Sequence, residues 1–172
     1  MIKLKKIIVA LFFVTILICL TTGSTTQVLI PSDAIRFRII ANSNNVEDQE
    51  IKIKIRNEIE PIFKEILDTS ESKEQTKELI NENMAKFASI IEAYNIDYTI
   101  NYGDNYFPEK EYKGVSYPAG NYESLVITLG SGAGDNWWCV LFPPLCLLEA
   151  EEQATNDANY TFYVKEIIEK FS

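Results

Sequence analysis

Ile30–Asn44 reads IPSDAIRFRIIANSN. Within it Ile35, Phe37 and Ile39 alternate with Arg36 and Arg38. Successive side chains of a strand point to opposite faces, so this pattern predicts a strand with one apolar and one basic face. Asn42, Ser43 and Asn44 end it, since short polar side chains that bond the local backbone favour turns. Asn44 is the expected N-cap of a following helix, with Glu47 three residues on as its capping-box partner.

Downstream the hydrophobic period changes from two to steps of three and four. Ile51, Ile55, Ile59, Ile62 and Ile66, with Phe63 and Leu67 alongside, predict an amphipathic helix from Val46 to Leu67. Pro61 lacks an N–H and predicts a kink or a fresh start there. Asp68–Ser72, DTSES, is a turn and cap cluster. A second helix carries Ile80, Met84, Phe87, Ile91 and Tyr94 in one stripe, and both stripes are read as core.

After Asn95 the period returns to two. Ile96, Tyr98, Ile100 and Tyr102 form one strand, and two more strand-like runs flank YPAGN, where Pro118 and Gly120 are turn residues. Leu125, Ile127 and Leu129 mark the inward face of the second run. GSGAGDN, residues 130–136, reads as a flexible loop; it lacks the GxGxxG spacing of a phosphate cradle. An acidic, linker-like stretch follows, and Val164, Ile168 and Phe171 then share one side of a short C-terminal helix. The order predicts an α+β, two-layer domain: a mainly antiparallel sheet with helices packed on one face, following an N-terminal signal segment.

That N-terminal segment has the plan of a secretory signal. Lys3, Lys5 and Lys6 precede the uncharged run Ile7–Leu20, and TTGSTTQ follows. The run is shorter than the ~20 residues a membrane span needs. Residues 1–25 are therefore a signal peptide or an N-terminal anchor, with cleavage expected between about Thr21 and Gln27. Residues 30–147 form the folded domain, and 148–172 an acidic linker with the short helix. The mature part keeps 13 of the 16 Lys and Arg against all 25 Asp and Glu, a net charge of −12. Such a charge argues against nucleic acid and anionic lipid as partners, leaving the membrane reached only through the signal segment. The absence of histidine removes Ser-His and Cys-His nucleophile pairs and His-ligated zinc.

One further segment concentrates unusual residues: Gly134–Cys146, GDNWWCVLFPPLC. Cys19 falls in the signal run, which leaves Cys139 and Cys146 as an even pair in an exported domain, the setting in which cysteines oxidise. Pro143 and Pro144 stop any helix or central strand and turn the chain back, bringing the two cysteines within bridging range. Six residues between them do not match the two of a thioredoxin-type redox site. A bridge here is expected to stiffen a loop that presents Val140, Leu141 and Phe142. Trp137 and Trp138, being neighbours, point to opposite faces, so one packs inward and the other is exposed or covered.

NWWCVLFPPLC, together with IPSDAIRFRIIANSNNVEDQ and FPEKEYKGVSYPAGNYESLVITLG, resembles the stage II sporulation protein R family. The resemblance covers about Ile30 to Leu147, in three motifs in the family's order, and does not extend to Leu148–Asn159. It implies a protein made in the forespore and exported into the space between forespore and mother-cell membranes. There it is expected to trigger a membrane-embedded aspartic protease, stage II sporulation protein GA, which cleaves the sigma-E precursor. It implies a ligand rather than an enzyme, with no cofactor and no catalytic residues. Candidate partner contacts are Trp137, Trp138, Leu141, Phe142 and Pro143, with Arg36 and Arg38 as a second, charged contact or as partners of the abundant acids. The competing readings are a structural or wall-binding module of the spore envelope, and a wall-acting hydrolase using a carboxylate pair such as Glu109 and Glu111.

Overall fold

The computed structural model describes residues 28–112, 115–146 and 157–171. The signal segment with Cys19, and the acidic stretch 148–156, lie outside the described residues. In chain order the elements are β1 (Val28–Leu29), β2 (Ile35–Ile40), α1 (Val46–Thr69), α2 (Lys73–Glu82), α3 (Met84–Glu92), β3 (Tyr98–Phe107), β4 (Lys110–Tyr112), β5 (Val115–Tyr117), β6 (Gly120–Leu129), β7 (Asn136–Phe142) and α4 (Asp157–Phe171).

A four-stranded sheet has the order β3-β6-β2-β7, and a three-stranded sheet the order β1-β5-β4. In the larger sheet β3–β6 and β2–β7 are antiparallel, whereas the central β2–β6 pair is parallel. The arrangement is the expected α+β one with a mixed centre. The sequence motif of alternating Ile35, Phe37 and Ile39 thus sits in an interior strand, paired on both sides.

The apolar face of β2 meets the helices. Ile35, Phe37 and Ile39 pack with Ile55, Ile59 and Phe63 of α1, Ile80 of α2 and Phe87 of α3. Phe63 is central: its ring lies 4.8 Å from that of Phe37 and 5.3 Å from that of Phe87. Each such side chain contributes about 1.5–3 kcal/mol through removal of apolar surface from water.

Local chemistry corrects three details. Asn45, not Asn44, caps α1, its Oδ1 accepting from the Asp48 amide at 2.7 Å. α1 runs unbroken through Pro61. Pro61 and Asn57, the residue whose carbonyl loses its helical donor, are both exposed, on the side of the helix where solvent is at hand. The single second helix expected from the stripe is two, divided at Asn83, whose Nδ2 donates to the Leu79 carbonyl at 2.8 Å. The stripe survives the break, with Ile80, Phe87 and Ile91 all buried.

The loop after β6 is tied down rather than free. Asn42 Oδ1 accepts from the Ser131 amide at 2.9 Å, and Asn44 Oδ1 from the Asp135 amide at 2.6 Å. The buried Lys52 donates to the Asp135 carbonyl at 3.0 Å. Gly134 passes so close to Ser43 that an added Cβ would collide with the Ser43 carbonyl.

Candidate functional site

The second face of the large sheet is built from the other phase of the same strands. Register places Arg36 beside Ser124 and Val140, and Arg38 beside Val126 and Trp138. On β3 the matching positions are Gly103 and Asn101. Over part of this face the small sheet and α4 close a second apolar cluster, which includes Phe107, Tyr117, Tyr122, Trp138, Leu145 and Val164. The C-terminal helix thus buries Val164, as its stripe predicts.

Inside that cluster lies Arg36, with no exposed surface. Its Cζ is 3.4 Å from the Tyr122 ring centroid and 5.1 Å from those of Phe107 and Trp138. None of its three guanidinium nitrogens has a hydrogen-bond partner. Burial pushes its pKa down to about 10, opposed by the nearby Tyr122 and Tyr117 hydroxyls. Arg38 is half-buried, with its Cζ 4.5 Å from the Phe107 centroid and its buried Nε without a partner. Burial lowers its pKa as well. Aromatic faces recover ~2 kcal/mol or more for a desolvated cation, against a desolvation cost of several kcal/mol.

The expected charged contact is therefore corrected at Arg36. Arg36 presents nothing to a partner, and only Arg38 reaches the surface. Among the described residues neither arginine pairs with an acid. Charged side chains are seldom buried unpaired, and the alternation of β2 alone does not reveal that Tyr122, Phe107 and Trp138 cover one of them. The signal that was available is the second phase of β6, where Tyr122, Ser124 and Val126 alternate with the core residues.

The tryptophan segment forms β7, an edge strand, and the chain reverses just after it. Cys139 and Cys146 are joined by a disulfide, with Cα atoms 5.2 Å apart. Leu145 N donates to the Val140 carbonyl at 3.1 Å, so the reversal folds back on the strand it follows. A returning turn of this kind blunts a sheet edge that would otherwise offer unpaired backbone groups.

Trp137 and Trp138 do point to opposite faces, as neighbours in a strand must. Trp138 is buried in the second cluster, with its ring 5.0 Å from Tyr117 and 5.7 Å from Phe107. Trp137 is half-buried on the helical side, 5.9 Å from Phe37 and beneath Arg56 at 5.0 Å. The expected presented loop is also corrected: Val140, Leu141 and Pro143 are buried, and the apolar character of VLFPPL goes into the two cores. Phe142 stays half-buried, 5.4 Å from Phe171. Of the sequence candidates, Trp137, Phe142 and Arg38 keep surface.

Glu109 and Glu111 are both exposed, Glu111 on the three-residue strand β4. Among the described residues no group of three or more Cys, Asp or Glu is placed to hold a metal ion. No described helix is long and apolar enough to cross a membrane.

Comparison with known proteins matches this architecture to one family. The model of the stage II sporulation protein R family aligns with residues 31–152. A curated relative, stage II sporulation protein R of Bacillus subtilis (strain 168), is 39% identical over 128 residues. That match covers 71% of this chain and 57% of the relative, so the chain spans little more than half of the relative's length. No solved structure matches. The family match begins four residues before β2 and runs past Cys146, taking in the helical core, the buried Arg36 and the disulfide-closed turn, and on that ground the chain belongs to the stage II sporulation protein R family.

Proposed function

We propose that this chain is an exported signalling protein of endospore formation. It acts in the space between the forespore and mother-cell membranes. Its target is the membrane-embedded aspartic protease stage II sporulation protein GA, and its effect is to switch on cleavage of the sigma-E precursor. Family membership over residues 31–152 carries this reading, since that span takes in every described element from β2 to β7.

A ligand switches a receptor only by binding its active state more tightly than its inactive one. The requirement is a fixed surface, not a reacting group. Two aromatic-rich cores and a disulfide hold the half-exposed Trp137, Phe142 and Arg38 at defined positions on a rigid sheet. Pre-organised side chains lose less entropy on docking, which favours affinity.

Purified chain tests the reading in one set of assays. Cleavage of the sigma-E precursor by protease-bearing membranes, only when the chain is added, is the expected result. Release of wall fragments in place of cleavage points to a hydrolase, and co-sedimentation with cell wall to a binding module; either overturns the proposal.

A further inference from the structure

We propose that the open half of the second sheet face, centred on Arg38 and backed by Arg36, docks an acidic segment of a partner protein. This deepens the signalling reading and rests on it for the partner's identity.

Small sheet and C-terminal helix cover only part of that face. From Arg38 the register carries two rows of the sheet to its open end: Asn101 and Val126 beside Arg38, then Thr99, Thr128, Ile40 and Asn136. Thr99, Asn101 and Asn136 are exposed, and Ile40 and Thr128 half-exposed. None of these positions is an acid, in a chain with 25 Asp and Glu. What the shelf offers is donors: the amides of Asn101 and Asn136, two threonine hydroxyls and the guanidinium of Arg38.

Arg36 supplies the second, independent observation. It is wholly buried, positively charged at physiological pH, and without a hydrogen-bond or acidic partner among the described residues. Buried charges are normally paired, because an isolated one is costly. Arg36 and Arg38 are two residues apart on one face of β2 and share the Phe107 ring at 5.1 and 4.5 Å. Two adjacent cations of like sign, neither neutralised within the described residues, leave positive charge that, among the described residues, opens towards the Arg38 shelf.

The complementary ligand is a carboxylate. A planar guanidinium edge receives it bidentately, and amide and hydroxyl donors complete its lone pairs. The mature chain, with a net charge of −12, repels anions over the rest of its surface. The same repulsion turns away an acidic partner everywhere except at this face, which makes the contact orienting as well as attractive.

The test uses the full exported chain and a synthetic glutamate-rich peptide, followed by backbone amide NMR shifts at low salt. Shifts confined to β2, β3, β6 and β7 residues of the open face are expected, with binding about tenfold weaker in Arg38→Ala. Lys77→Ala, on the helical side of the sheet, is the control and leaves binding unchanged. Absence of binding, equal binding by Arg38→Ala, or inorganic phosphate displacing the peptide at equal concentration overturns the carboxylate site. Precursor cleavage then separates the two proposals. If the wild-type chain triggers cleavage and folded Arg38→Glu does so equally, the docking inference fails while the signalling reading stands. If the wild-type chain triggers none, that reading fails, and the peptide result alone judges the site.

Discussion

The Cζ of Arg36 lies 3.4 Å from the centre of the Tyr122 ring, in a cluster where no carboxylate of the described residues faces it. A stacked, unpaired guanidinium contributes packing and cation–π attraction, while its desolvation opposes folding. Arg36→Met keeps much of the volume and discards the charge. Its melting temperature is therefore expected to equal or exceed that of the wild type. Arg36→Ala leaves a cavity and is expected to lose ~2–5 kcal/mol. Thermal melts of the two variants check this; an Arg36→Met chain as unstable as Arg36→Ala would show that the charge itself holds the fold.

The two tryptophans are expected to differ in what their removal costs. Trp138→Ala empties part of the second cluster and should cost ~3–5 kcal/mol. Trp137 is half-buried, so Trp137→Ala should cost roughly 1–2 kcal/mol and leave a folded domain. Chemical denaturation of both variants measures the difference, and equal losses contradict the placement of the two rings.

Glu123 makes stability depend on acid pH. Burial pushes its pKa up, but Lys77 at 2.7 Å and Lys73 at 3.2 Å outweigh burial and hold it below the ordinary value of a glutamate. With the folded value depressed, the stability from this group is present above the unfolded value and is lost as pH falls through the folded one. Glu123→Gln should therefore lose stability near neutrality and show a flatter decline below about pH 4.5. Identical slopes in wild type and variant would contradict the ion-pair assignment.

The disulfide closes a short loop, so its removal is expected to cost only ~2–3 kcal/mol and to leave the domain folded. Alkylation of native protein with and without reductant should find Cys139 and Cys146 protected until reduced. Two freely labelled thiols in the exported chain contradict the bridge.

Much of the helical core was readable before any coordinates. The alternation of Ile35, Phe37 and Ile39, the stripes at Ile55, Ile59 and Phe63 and at Ile80, Phe87 and Ile91, and the C-terminal Val164 stripe all follow from local periodicity. Less readable was everything that depends on long-range pairing. That β2 lies between β6 and β7, with Arg36 beside Ser124 and Val140, is set by register across about a hundred residues. Without it Arg36 looks like a surface residue and Leu141 like an exposed one. The strand character of Asn136–Phe142 was hidden for a related reason: both faces of β7 are buried, so its apolar run shows no alternation.

The central claim, that this chain is the signal that switches on processing, is tested most directly in a host lacking sporulation genes. The chain, the membrane-embedded protease and the sigma-E precursor are expressed together and in pairs, and the precursor's length is followed by immunoblot. The account predicts the shortened product only when all three are present and this chain is exported. Equal cleavage by the protease and precursor alone, or no cleavage with all three present and exported, would contradict it.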